Sequence, residues 1–151
     1  MDDPIPISVK NMAALMLPTT CMKCFWLRLR VGFKGVWEIF GPIYSLLDLY
    51  VKHHVQAILE EKGSVPAWMP CAADIVGSVK PTRLTYVVAG ANVQLRGVPD
   101  GLFKLKEGRF ILVDFKTGKC KGEDDPLLPL YVGQLNAYAW ILTLQYKMVT
   151  L

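Results

Sequence analysis

"GVPDGLFKLKEGRFILVDFKTGK", residues 97–119, holds two apolar-rich runs, GLFKLK and RFILVDFK, on either side of Glu107-Gly108. Two such runs joined through a glycine read as a β-hairpin. A three-residue loop at Glu107-Gly108-Arg109, with Gly108 at positive φ, pairs Lys106 with Phe110. That register gathers Phe103, Leu105, Ile111, Val113 and Phe115 on one wholly apolar face. Asp100, Asp114 and Lys116 then share the opposite face, with Asp100 across from Lys116. Two carboxylates held that close repel unless a proton or a cation intervenes. Lys116 alone could satisfy them as a buried ion network. A divalent ion fits better, because an oxygen-only donor set suits Mg²⁺ or Mn²⁺. Gly97 and Gly101 flank Asp100 and leave room for backbone to come close.

Outward from the hairpin, "RLTYVVAG" and "NVQLRG" read as two further strands around a Gly-Ala-Asn turn. A polar loop, "TGKCKGEDDPLLP", leads to a last helix from about residue 131 to 145. Upstream, "SLLDLYVKHHVQAILEEK" reads as an amphipathic helix that Gly63 ends, with Leu47, Val51, His54, Val55 and Ile58 on its apolar face. Residues 8–30 read as helix in two pieces broken at Pro18, the second capped by Thr19 or Thr20. Helices, then a mostly antiparallel mixed sheet, then a helix give the α+β class. The expected organisation is one domain over residues 1–151, with a helical part at 1–65 and the sheet and site at 80–151.

A chain that is 52% apolar and 20% charged is not a disordered one. No apolar run reaches the roughly 18 residues that span a bilayer, and the acidic start, with its first Lys at position 10, is the wrong order for a secretory signal. A cytoplasmic protein without a membrane partner is expected. The net charge of +4 permits a polyanionic partner without requiring one. Lys104, Lys106, Arg109, Lys116, Lys119 and Lys121 crowd around the hairpin, as a solubilising tip or as a surface for phosphates. Cys21 and Cys24 form a C-x-x-C, but Cys71 and Cys120 stand far apart, so reduced thiols are favoured over a zinc site.

Three short motifs in order carry a resemblance: Gly97-Val98-Pro99-Asp100, then Asp114-Phe115-Lys116-Thr117-Gly118, then Gln134-Leu135-Asn136-Ala137-Tyr138. The chain resembles the PD-(D/E)XK nuclease superfamily, nearest to its RecB-type branch with the CRISPR-associated exonucleases, best from about Val93 to Leu142. "CMKCFWLRLR" is also similar to the Cys-aromatic helix upstream of many such cores. The resemblance implies a restriction-endonuclease-like fold and metal-dependent, exonuclease-like hydrolysis of DNA, of the kind used in repair or recombination. It implies Asp100, Asp114 and the Phe115 carbonyl as metal ligands, Lys116 as the group aiming water or steadying phosphate, and Gln134 and Tyr138 as site residues on one helix face. The nitrogen or oxygen ligand that RecB-type relatives draw from an upstream helix has three candidates here, His54, Asp48 and Glu38. His54 lies on the expected apolar stripe, where a core histidine is the ordinary outcome. The three downstream cysteines of cluster-bearing relatives have no counterpart after Cys120, so no iron–sulfur cluster is expected. The family's last strand and helix would follow "YKMVTL", which leaves a minimal version, a fragment, or a second copy or partner chain completing the sheet. Against the nuclease stand a nucleic-acid-binding or assembly module of the same fold, and a structural protein whose acids pair only with Lys.

Overall fold

The computed structural model describes residues 3–32, 42–118 and 121–146. In chain order the elements are β1 (Ile5–Ser8), α1 (Val9–Ala13), a 3₁₀ turn (Ala14–Met16), α2 (Met22–Val31), α3 (Pro42–Lys62), a 3₁₀ turn (Ala72–Asp74), β2 (Ile75–Val79), β3 (Leu84–Val88), β4 (Val93–Gly97), β5 (Gly101–Leu105), β6 (Phe110–Val113), a 3₁₀ turn (Gly122–Asp124) and α4 (Leu128–Tyr146). The class is α+β, as the order of elements implied. The strands form two three-stranded sheets, one mixed and one antiparallel. The chain divides into two compact units, each built from segments far apart in sequence.

The first unit holds the described residues of Met1–Phe40, Arg83–Gly97 and Cys120–Ile141. Its sheet runs β1-β4-β3, with β1 parallel to β4 and β3 antiparallel to it. Pro6 removes a ladder donor from β1, which is tolerated because β1 is an edge strand. Residues 5–8 are thus a strand, and helix begins only at Val9. Ser8 caps it, accepting the Asn11 N–H at 3.1 Å. A five-residue helix has no stability alone; α1 is held by Val9 and Ala13, both fully buried. At Gly133 of α4 an added Cβ would come within 3.0 Å of Met16 Cγ and 3.5 Å of Ala13 Cβ, so the two segments pack closely there. The cap of α2 is neither Thr19 nor Thr20. Cys21 fills that place, its sulfur accepting the Cys24 N–H at 3.3 Å. The Thr20 hydroxyl instead donates to the Ala14 carbonyl, closing the preceding turn.

The second unit holds the described residues of Gly41–Thr82, Val98–Lys119 and Leu142–Leu151. Its sheet runs β2-β5-β6, antiparallel throughout. The expected apolar face is present: Phe103, Leu105, Ile111, Val113 and Phe115 all pack into one core with Val55, Leu59, Val65, Met69 and Ile75. Burying one such side chain stabilises by about 1.5–3 kcal/mol. The register differs from the expected one. Lys104 pairs with Phe110 and Gly101 with Val113, not Lys106 with Phe110. The loop is Lys106-Glu107-Gly108, closed by Leu105 N–H to Arg109 O at 2.8 Å and Gly108 N–H to Leu105 O at 2.9 Å, with Gly108 at φ +82°. Both loops have three residues, but only this one puts Gly108 at the position that needs a left-handed residue. The shift is an even number of residues, so every side chain keeps its face.

Helix α3 ends as expected, Gly63 at φ +66° donating its N–H to the Leu59 carbonyl at 2.9 Å. Its inward stripe keeps Val51, Val55 and Ile58 of the expected five and departs at Leu47 and His54. Val55 and Leu59 are buried, whereas Leu47 and His54 are exposed, and His54 stacks on Tyr50 with ring centroids 5.7 Å apart. The reason is visible in residues 43–51, which are apolar nearly all the way round and so leave the periodicity undecided. Among the described residues, no helix is long and apolar enough to cross a membrane.

Candidate active site

The hairpin register decides which charged groups meet. With Gly101 opposite Val113, the next step of the ladder brings Asp100 level with Asp114, rather than with Lys116. Asp100 sits just before β5, its side chain 17% exposed. One oxygen, Oδ2, accepts the Phe115 N–H at 3.0 Å, which ties the acid to the strand end beside it. Gly101 is required next to it because an added Cβ there would lie 2.6 Å from Phe103 Cε2. A ring, not backbone, comes close at that glycine.

Asp114 follows directly on β6, with its side chain only 6% exposed. Burial pushes its carboxyl above the usual carboxylate range. The Lys116 ammonium, ion-paired to Asp114 Oδ2, pulls the other way, and the Asp100 carboxylate adds to the upward push. An acid so placed has electrostatic capacity for more positive charge than it now receives. Lys116 itself has a 35% exposed side chain, so it joins site to solvent. The ring of Trp68 meets Phe115 edge-on, with centroids 6.4 Å apart.

Lys52 completes the group, and the sequence reading did not single it out. Its Nζ lies 2.6 Å from Asp48 Oδ2 and 2.7 Å from Asp100 Oδ1. Burial alone would lower its pKa, but the hydrogen bonds and charge of Asp100 and Asp48 outweigh that and raise it. Asp48, Lys52, Val55 and Leu59 are spaced to form one continuous stripe of α3, polar at its start and apolar where it enters the core. The i,i+4 spacing of Asp48 and Lys52 was the available signal, but it reads equally as a surface helix pair.

Of the candidates for an upstream ligand, Asp48 is thus the one drawn to Asp100 through Lys52, while His54 is exposed on another face. Glu38 lies outside the described residues. Among the described residues, no three His, Cys, Asp or Glu side chains converge as a ready metal cage. Gln134 and Tyr138 belong to the first unit, both buried on α4. The Tyr138 ring covers Gly97, where an added Cβ would lie 2.5 Å from its Oη and 2.9 Å from Cε1. Cys21, Cys24 and Cys71 are free and exposed; Cys120 lies outside the described residues.

A family model described as the PD-(D/E)XK nuclease superfamily matches residues 41–150, well over half of the chain. The chain belongs to the PD-(D/E)XK nuclease superfamily. Comparison with curated proteins gives no match, and neither does comparison with solved structures. Pro99-Asp100 and Asp114-Phe115-Lys116 spell the letters of the PD-(D/E)XK name in order, and their acids are the two that the hairpin sets side by side. The superfamily brings with it chemistry of the nuclease type.

Proposed function

We propose that this chain is a divalent-metal-dependent nuclease that hydrolyses DNA phosphodiester bonds, trimming ends rather than cutting at a chosen sequence. One observation carries the reading: two carboxylates stand side by side at the paired ends of β5 and β6, each with an ammonium group on it. The donor set fits a hard cation. Its atoms are carboxylate and carbonyl oxygens, and both acids already hold positive charge, Lys52 Nζ standing where a cation is wanted. Asp100, Asp114 and the Phe115 carbonyl would hold Mg²⁺ or Mn²⁺, with Asp48, joined to Asp100 through Lys52, as a further carboxylate. Such an ion, when bound, makes its water a stronger nucleophile near neutral pH and offsets charge on the phosphoryl oxygens.

The protein's own groups do the rest. Asp100 is held by the Phe115 N–H, which fixes its orientation before any ligand arrives. Lys116, reaching from Asp114 toward solvent, aims the attacking water and steadies the phosphate. Lys104, Lys106 and Arg109 line the adjoining hairpin and meet the phosphate backbone, a contact that weakens with salt. Tyr138 acts by packing on Gly97, three residues before Asp100 in the chain, and Gln134 is buried one turn earlier on the same helix.

The test is end-labelled single- and double-stranded DNA incubated with the parent and with Lys116→Ala, in Mg²⁺ or Mn²⁺ and with EDTA as control. The parent should shorten the DNA from its ends only with metal. Loss of a positioned charge should cost about 10²–10³-fold in rate, while DNA binding persists. Undiminished cleavage by Lys116→Ala removes that residue from the mechanism. Salt-sensitive binding by the parent without any cleavage would establish the binding-module reading, for which the Lys pairing of both acids speaks.

A further inference from the structure

We propose that Lys52 is a built-in counter-ion of the carboxylate group, which a divalent metal must displace in order to bind, so that Lys52 sets the metal concentration at which the site loads. This rests on the metal-site reading of Asp100 and Asp114. The geometry makes the two cations exclusive. Lys52 Nζ lies 2.7 Å from Asp100 Oδ1 and 2.6 Å from Asp48 Oδ2, and so fills the space between two carboxylates of α3 and the β5 entry. A metal ligated by Asp100 would stand within a few ångströms of that ammonium, where like charges repel strongly. The charge count points the same way. Asp48, Asp100 and Asp114 face Lys52 and Lys116, which leaves one negative charge. A divalent ion added to that set overshoots to one positive charge. With Lys52 withdrawn, the same set is neutral.

Withdrawal is within the side chain's means. Lys52 is 29% exposed, so a change of rotamer carries its head to water while the stem stays on α3. Val55 and Leu59, on the same stripe, keep the helix anchored in the core as this happens. The arrangement therefore closes the metal-free site without distorting the hairpin, and couples loading to the release of one side chain.

The experiment is Mn²⁺ titration by calorimetry on the full chain, for the parent, Lys52→Met, Lys52→Arg and Asp114→Asn, with circular dichroism to confirm folding. Lys52→Met should bind Mn²⁺ about tenfold more tightly than the parent, since a competing charge is gone. Lys52→Arg should bind no more tightly than the parent, and Asp114→Asn should not bind. A second measurement needs only the parent: acetylation of Lys52 by an amine-reactive ester, read by mass spectrometry. Saturating Mn²⁺ should speed that labelling several-fold, as the ammonium leaves its carboxylates. If Lys52→Met binds as the parent does or more weakly, or if Mn²⁺ leaves Lys52 labelling unchanged or slower, Lys52 is not displaced and the proposal is wrong, while parent binding that Asp114→Asn abolishes keeps the metal site. If neither the parent nor Lys52→Met binds Mn²⁺, the metal-site reading itself fails.

Discussion

Asp114 is the residue on which metal and pH should act most directly. Burial and Asp100 raise its carboxyl above the usual range in the folded chain. A carboxyl raised on folding contributes stability that is complete below the unfolded carboxylate range and is lost as pH climbs through the folded value. The metal-free protein should therefore lose stability as pH rises from that range upward. Asp114→Asn should flatten this dependence, because the amide does not ionise. Mn²⁺ or Mg²⁺ should raise the parent's melting temperature, and Asp114→Asn should abolish that rise. Thermal melts of both proteins from acid to neutral pH, with and without metal, check both outcomes. A parent and variant that respond alike to metal would remove Asp114 from the site. At this scale the sequence was legible in part. Asp100, Asp114 and Lys116 stood out because charged residues interrupt an apolar hairpin. Lys52 did not, since its partner Asp100 lies far along the chain and only the folded helix brings them together.

At the scale of the elements, Gly97 and Tyr138 act as one packing unit between the end of β4 and α4. A methyl group at Gly97 would meet the ring at 2.5–3.1 Å, too close for either to stay in place. Gly97→Ala should destabilise by about 1–3 kcal/mol, as overpacking does. Combined with Tyr138→Ala, it should cost clearly less than the two changes added, since the cavity accepts the methyl. Denaturant melts of the double-mutant cycle check this; strict additivity would mean that the contact is not the reason for glycine. The hairpin was readable from two apolar-rich runs about Gly108 and α3 from a long run that Gly63 closes, whereas α4 is apolar nearly all the way round and is marked as helix by its length rather than by a stripe. Strand β1 was not: four residues with Pro4 before it and Pro6 within it signal a turn, and only pairing with β4 makes them a strand. Strand β2 was missed for a related reason, since Gly77 and the irregular pairing between Ile75 and Gly77 break its alternation. The stripe of α3 was legible at Val51, Val55 and Ile58 but misjudged at Leu47 and His54, since residues 43–51 offer apolar side chains in most directions.

At the scale of the whole molecule, the site's acids and both of their lysines lie in the second unit. Metal should therefore slow hydrogen exchange in residues 48–56 and 100–116, and leave the β1-β4-β3 sheet much as it was. Exchange mass spectrometry with and without Mn²⁺ checks this; protection centred on β1, β3 and β4 would place the ion elsewhere. The first unit carries a different liability, which follows from the cap of α2. Cys21 offers its sulfur to the Cys24 N–H, and the Cys24 thiol and N–H hold the Cys21 thiol below its usual pKa. The most readily ionised sulfur of the pair is thus also the one that starts a helix. A maleimide dye, an alkylating quench or a stray oxidant would take it ahead of Cys24 and remove the side-chain cap of α2. Cys71 caps no N–H with its side chain, and a probe meant to report on the molecule rather than disturb it belongs there.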